Sequence, residues 1–339
     1  MRIVVDVTPL SHPRTGIGNY IRGMLRGLAD AVGGEHAVVA FAPVSLRARR
    51  RLEEALDGIP VERRLISLPP PAHAWRTLWS RSGLVPVERL AGPLDVFHFS
   101  DWMYPPQRGG LRVTTIYDLI PLRFPEWVHP RTRAINLRKY RHAARTCDRI
   151  FAISRFTADD IAERLGFERQ RIVVAHPGVD ERFRPEGERP GGDYVLMLAP
   201  DDPRKNYAGL AAAVELVRER RPELRLLAPS RVTEDELPAL YRGAAVFAYP
   251  TFFEGFGIPI LEAMASGIPV VASSHPSLDE ACGEAAVRAD PKSPEAIAAG
   301  IERALAERDE LVPRGLEHVQ RFTWRACGQA FLDGLTTRS

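Results

Sequence analysis

The chain has 339 residues, enough for two domains of ordinary size with a core each. Hydrophobic residues make up 45% and charged residues 26%, which excludes a disordered or fibrous chain, and no apolar run is long enough to span a bilayer. The net charge of +3 conceals an asymmetry: residues 1–185 carry 29 Lys and Arg against 19 Asp and Glu, and the remainder 17 against 24. A basic first half suits an anionic membrane face or an anionic acceptor. Nucleic acid is not expected as a partner, because no binding motif accompanies the arginines. Cys147, Cys282 and Cys327 are few, odd in number and scattered, which argues for a reducing compartment and against a metal cluster. The opening Met1-Arg2-Ile3-Val4-Val5 enters a strand directly, so a cytoplasmic protein without a signal peptide is expected.

In chain order, apolar strand-like runs alternate with helical patterns. Ile3–Val7 leads through Arg14-Thr15-Gly16-Ile17-Gly18-Asn19 into a helix over Tyr20–Leu28; two glycines there suit either a tight turn or close approach to a ligand. Ala37–Phe41 precedes a helix over Leu46–Leu56 that carries the basic run Arg47 to Arg51. Residues 72–85 put Trp75, Leu78 and Trp79 on one helical face with Arg76 and Arg81 beside it, which fits a membrane headgroup zone or core packing. Val96–Phe99 contains His98, with Asp101 just beyond, and Val113–Tyr117 runs into Tyr117-Asp118. Ile150–Ile153 and Ile172–Ala175 flank a helix over Ala158–Leu165. Such alternation implies parallel sheets covered by helices.

The polar stretch Arg184-Pro185-Glu186-Gly187-Glu188-Arg189-Pro190-Gly191-Gly192 reads as a linker between a first domain over 1–185 and a second over 193–317. The second alternation opens with Tyr194–Leu198 and turns through Asp201-Asp202-Pro203 to Arg204-Lys205-Asn206. Lys205 is one of three lysines, with Lys139 and Lys292, in a chain that otherwise uses arginine. Two cations at a helix start oppose the helix dipole, so they suit an anionic ligand better than a solvated end. Ala245–Tyr249 reads as a buried strand, and Pro259–Ala265 as a helix with Gly267 just past its end. Glu254 falls on the loop between them and Glu262 about one to two turns into the helix. Gly255 and Gly257, either side of Phe256, let the backbone N–H groups of the helix start come close to a phosphate. Two carboxylates flanking an anion-binding helix start suit a ligand that carries both phosphate and hydroxyl groups. Each of these loops follows a strand, where doubly wound sheets bind their ligands. No nucleophile elbow and no metal-ligand spacing appears.

The stretch from Tyr249 to Gly267 resembles the glutamate-pair signature of retaining glycosyltransferases of the GT-B fold, the family 4 type (group 1 glycosyl transferases). The resemblance covers nearly the whole chain and is strongest over residues 237–282. It implies an α/β fold of two Rossmann-like doubly wound domains facing across a cleft, with a crossover helix over 318–339 that returns to the first domain, anchored by Trp324. It further implies that Glu254 holds the donor sugar, Glu262 the ribose, and Arg204 and Lys205 the diphosphate. Gly16, Gly18, Gly255, Phe256 and Gly257 would line the donor site, and His98, Asp101, Tyr117 and Asp118 the acceptor or sugar side. The donor would be a nucleotide diphosphate sugar, with no further cofactor and no metal. The segment Asp118-Leu119-Ile120-Pro121-Leu122-Arg123-Phe124-Pro125 resembles bacterial mannosyltransferases for surface polysaccharide, which makes GDP-mannose the first donor implied and a glycan or lipid-linked hydroxyl the acceptor.

The chain departs from the family pattern twice. Tyr117-Asp118 stands where the family commonly has His-Asp, and a phenol with a pKa of about 10 does not exchange protons at neutral pH as imidazole does. His98 is read either as compensating or as a satisfied histidine near a strand end. Over residues 224–237 two strands look fused, so the second domain is expected to be shorter by one strand–helix unit in the region that supplies part of the base-pocket wall. These departures leave two other readings open, a catalytically silent nucleotide-sugar-binding or scaffold protein and a GT-B sugar-nucleotide epimerase.

Overall fold

The structure, a computed structural model, describes residues 1–12, 16–69, 72–100 and 103–337. Arg14, Thr15 and Asp101 lie outside the described residues. The chain forms two compact units, residues 1–178 with the stretch from Trp324 onward, and Val179–Thr323.

The first unit holds seven strands, all parallel: β1 (Arg2–Asp6), β2 (Ala37–Val44), β3 (Glu62–Ser67), β4 (Val96–Phe99), β5 (Leu111–Ile116), β6 (Arg149–Ala152) and β7 (Ile172–Val174), in the order β3-β2-β1-β4-β5-β6-β7. Buried for the most part on both faces, the inner strands are predominantly apolar, and Val4, Phe41, Phe97, Phe99 and Ile150 form one core. The edge strand β3, Glu-Arg-Arg-Leu-Ile-Ser, is largely exposed and lacks that signal, so it was not among the expected strands. The helix Gly16–Val32 packs against the helix Trp324–Thr336 at glycine contacts. A Cβ on Gly23 would enter the Trp324 ring, one on Gly27 the Trp324 backbone, and one on Gly328 the backbone of Gly27. Trp324 also meets Tyr20 edge-on at 6.0 Å, so it is the anchor expected of it.

The second unit holds β8 (Tyr194–Leu196), β9 (Arg225–Leu227), β10 (Val246–Tyr249), β11 (Val270–Ser273) and β12 (Ala286–Ala289), again parallel, in the order β12-β11-β10-β8-β9. Val195, Val214, Val246, Val271, Ile297 and Ile301 form its core. Between the helices Tyr207–Arg218 and Leu237–Gly243 stands the single strand β9, in keeping with a shortened unit.

The unit boundaries differ from those expected. The stretch 184–192 lies inside the second unit, where Arg242 Nε donates to Glu188 O (2.9 Å) and a Cβ on Gly267 would stand 3.3 Å from Pro185. At the other end the crossover starts at Trp324, not 318. Phe322 packs on Phe256 (5.6 Å) and His318 (5.2 Å), and its carbonyl accepts from Val179 N at 2.9 Å, which ties the entry and exit of this unit together.

Candidate active site

Strand order brings together the two loops of the second unit that carry the expected donor residues. β8 and β10 are neighbours, with Val246 opposite Val195, so the loops leaving their carboxyl ends run side by side. Arg204 O accepts from Phe252 N (2.8 Å) and from Thr251 Oγ1 (2.9 Å), which clamps the Pro203–Lys205 turn onto the loop after β10. Asn206 follows in the left-handed region (φ 62) and caps the next helix by accepting from Gly209 N at 3.2 Å.

The clamp places Lys205 against Glu254. Lys205 Nζ donates to Glu254 Oε1 at 2.6 Å and to the Tyr249 hydroxyl, and lies 4.3 Å from the Tyr249 ring centroid. Thr251 Oγ1 adds a contact to Glu254 Oε1 at 3.2 Å. Burial and the Glu254 charge raise the Tyr249 phenol well above its usual range, so it stays neutral. Arg204 forks onto Asp202, with Nε at 3.0 and 3.1 Å from the two carboxylate oxygens. Gly255, Phe256 and Gly257 are buried at the mouth of the helix Ile258–Ala265. Gly257 must be glycine, since its φ is 107° and a Cβ would stand 2.8 Å from Leu278.

Glu262 lies on that helix and accepts from Tyr241 OH at 2.9 Å. Burial pushes its carboxyl up to about 7, against the Tyr241 bond and the Arg182 charge, both of which lower it. A carboxylate so tuned gains from further hydrogen-bond donors such as sugar hydroxyls. Ahead of the helix Leu237–Gly243, Thr233 and Glu236 bond reciprocally, Thr233 N to Glu236 Oε2 at 3.0 Å and Glu236 N to Thr233 Oγ1 at 3.4 Å.

The other predicted residues lie in the first unit. Gly16 and Gly18 occupy the first turn of the helix Gly16–Val32. His98 is 1% exposed: Nε2 lies 2.9 Å from Thr115 Oγ1, the ring meets Phe331 edge-on at 5.5 Å, and Nδ1 is buried with no hydrogen-bond partner. Burial and the nearby Lys139 lower its pKa to about 3, so it is neutral. It is therefore a core histidine without access to a ligand, because the next-to-last residue of β4 points under the C-terminal helix. The Tyr117 ring sits between Tyr20 (5.4 Å) and Lys139 Nζ (5.5 Å). Asp118 Oδ1 accepts from Ile120 N at 2.9 Å.

Several contributors went unpredicted. Tyr249, Thr251 and Asp202 hold the cations and the Glu254 carboxylate in place, and Ser277 Oγ, in a turn with His275, accepts from Glu254 N at 3.3 Å. Only their position in, or in the loops after, the carboxyl ends of strands could have pointed to them. Among the described residues no group of His, Cys, Asp or Glu is placed to hold a metal ion, and no helix is long and apolar enough to cross a membrane.

Two parallel α/β units, together with the family matches below, make the protein a glycosyltransferase of the GT-B type. The fold is shared with Anabaena HepE, solved in complex with UDP-glucose, at a TM-score of 0.67 and 16% identity over 99% of each chain. Residues 14–183 match the model for glycosyltransferase family 4 and residues 227–318 that for group 1 glycosyl transferases; the chain belongs to glycosyltransferase family 4. Glu254 and Glu262 fall inside the second match, whereas Arg204 and Lys205 fall in neither. Among curated relatives, the O-antigen chain mannosyltransferase B of Escherichia coli is 28% identical over 96% of this chain and 97% of its own length. The D-inositol 3-phosphate glycosyltransferase of Salinispora tropica is 26% identical over 97% and 83%.

Proposed function

We propose that this glycosyltransferase moves a mannosyl residue, with retention at the anomeric carbon, from GDP-mannose to a hydroxyl of a growing surface polysaccharide. The observation that carries the reading is the Lys205–Glu254 contact at the joined ends of β8 and β10. In this reading Lys205 faces the departing diphosphate as it gathers charge and Glu254 the sugar as it turns cationic, so both favour the transition state over the ground state. Glu262, within reach of Tyr241, takes the ribose hydroxyls. Arg204 shares the diphosphate by exchanging part of its fork onto Asp202 for phosphate oxygens. No side chain stands as a nucleophile in this reading, and the departing phosphate oxygen takes the acceptor proton. The full-length similarity to the E. coli mannosyltransferase supports mannose and a polysaccharide acceptor.

The acceptor side of the reading includes Tyr117 and Asp118, and places the protein peripherally at the cytoplasmic face of a membrane, where a lipid-linked chain would be extended. In support, Trp75 and Leu78 are 46% and 59% exposed, on a helix that also carries Arg81. Trp79 does not belong to this face, since it packs on Phe41 at 6.3 Å and donates to Val85 O. Calorimetry against a nucleotide panel, followed by transfer and donor-hydrolysis assays, tests the whole. Tightest binding of GDP with acceptor-dependent turnover is expected. Binding without turnover would mark a silent scaffold, and product formed without acceptor an epimerase.

A further inference from the structure

Both cations of the candidate site are answered by a carboxylate, and only one of those carboxylates has a task in the reading above. Lys205 meets Glu254, which faces the sugar; Arg204 meets Asp202, to which no part of the donor falls. The Asp202 carboxylate takes one edge of the guanidinium: Nε lies 3.0 Å from Oδ1 and 3.1 Å from Oδ2, and Nη2 donates to Oδ2. A phosphate offers the same pair of oxygens to the same edge, so Asp202 and a diphosphate compete for it. Both side chains are part-exposed, at 24% and 26%, so a ligand can reach them. Burial opposes ionisation of Asp202, yet its bonds from Arg204 hold the carboxyl below its ordinary range, and it is charged at neutral pH. The backbone fixes where that charge stands. Oδ1 also accepts from Arg204 N at 3.0 Å, Asp202 N donates to Ala199 O at 3.1 Å, and Asp202 O accepts from Lys205 N at 2.9 Å. Ala199 reaches this turn at φ 54, in the left-handed region that a residue with a Cβ rarely adopts, and such strain persists where the surroundings over-determine it. The pair stands beside the Lys205–Glu254 pair, for the Tyr249 phenol that accepts from Lys205 also feels the charges of Arg204 and Asp202. Two cations against two carboxylates leave no net charge, and a site selected only to hold a diphosphate tightly gains nothing from Asp202.

We propose that Asp202 is a built-in counter-anion that weakens the hold on the nucleoside diphosphate and speeds its departure, acting through Arg204 rather than by touching the donor. When the nucleotide binds, Arg204 turns part of its fork from the carboxylate to phosphate oxygens, and Asp202, fixed in its turn, stays beside them as a like charge. When the product leaves, the carboxylate is already in place to take the guanidinium back, so Arg204 is never left without an anion. The proposal rests on the diphosphate role given to Arg204 above; what it adds is a residue whose removal strengthens binding.

The test titrates the full chain by calorimetry with the nucleoside diphosphate that binds best in the nucleotide panel, GDP being expected, and follows its release by stopped-flow displacement of the N-methylanthraniloyl derivative. Asp202→Asn keeps an oxygen that accepts from Arg204 N and removes only the charge. This variant should bind the nucleotide at least about threefold more tightly and release it more slowly, with the gain shrinking as salt is added. Asp202→Ser, a shorter uncharged residue that also caps such a turn, should shift affinity in the same direction. Product inhibition of transfer should strengthen in step. A residue that merely props Arg204 would give the opposite sign, because the freed guanidinium would be less well placed; unchanged or weaker binding in both variants, with thermal unfolding showing them folded, overturns the proposal. Arg204→Ala separates this from the function proposed above. If it leaves nucleotide affinity unchanged, Arg204 does not hold the diphosphate and that assignment is at fault. If it weakens binding while neither Asp202 variant tightens it, only the role of Asp202 falls.

Discussion

Lys205 Nζ lies 2.6 Å from Glu254 Oε1, with both side chains nearly closed to solvent at 12% and 13% exposure. Two residues assigned to different parts of the donor, the diphosphate and the sugar, are thus one electrostatic unit. Removing either partner strands the other as a part-buried charge, whereas removing both does not. The expectation is that Lys205→Ala and Glu254→Gln are non-additive in urea unfolding, with the double variant more stable than the sum of the singles by about 1–3 kcal/mol. Strict additivity would show that the pair contributes nothing in solution.

In turnover, Glu254→Gln should lower kcat far more than donor affinity, because an amide replaces the hydrogen bond but not the charge facing a cationic sugar. Lys205→Ala should cost about 2–4 kcal/mol of transition-state stabilisation. Lys205→Arg should recover only part, since a planar fork copies poorly an ammonium that also donates to Tyr249. Steady-state kinetics with measured donor affinity checks this, and a fully active alanine variant would remove the diphosphate from this loop.

Glu262 has its carboxyl raised from 4.5 to about 7, so the folded chain holds this proton to higher pH than the unfolded chain does. Its support for folding is complete below about pH 4.5 and is lost as pH rises through 7, on the order of 3 kcal/mol in all. Glu262→Gln should lack that loss, so its stability relative to the native chain should rise across this window. Nucleotide affinity should move the opposite way in the native chain, strengthening between about pH 6 and 8 as the carboxylate forms to accept ribose hydroxyls. Equal pH profiles for the two proteins would contradict both statements.

Gly257→Ala is expected to damage the donor loop. The φ of 107° disfavours any side chain, and the added Cβ stands 2.8 Å from Leu278. A cost of about 1–3 kcal/mol follows, together with weaker nucleotide binding, because the start of the helix Ile258–Ala265 must shift. Thermal unfolding and calorimetry read the two effects, and a variant equal to the native chain in both would show this turn to be pliable.

Trp75 and Trp79 should separate cleanly. Trp79→Ser removes a ring packed on Phe41 and should cost about 3 kcal/mol or more. Trp75→Ser should leave stability within about 0.5 kcal/mol yet weaken salt-sensitive binding to anionic vesicles. Vesicle binding that ignores Trp75 would leave it as an ordinary surface aromatic.

The helix Ile258–Ala265 was legible in the sequence because its signals are local. Tyr249 to Gly267 spans one strand, one loop and one helix, and glycine, proline and glutamate each have a positional meaning there. The Lys205–Glu254 contact was not legible, since it depends on β8 lying beside β10 across intervening helices. β3 escaped notice because an edge strand need not be apolar. The domain boundary was misplaced because Pro and Gly mark irregular backbone wherever it occurs, and residues 184–192, although mostly exposed, are tied into the second unit at Glu188 rather than dividing the chain. His98 could be read two ways from its place in a strand, and only the C-terminal Phe331 that covers it decides.

The helix Trp324–Thr336 is translated after the whole of the second unit, yet it completes the packing of the first. While a nascent chain is still emerging, the glycine-lined seam of the helix Gly16–Val32 has nothing to lie against it, so the first-made unit is the last to finish. The second unit, continuous from Val179 to Thr323, has every residue it needs earlier. A ribosome stalled just short of Trp324 would therefore display a finished second unit and an unfinished first unit, with the face of the helix Gly16–Val32 that meets Trp324 open to chaperones.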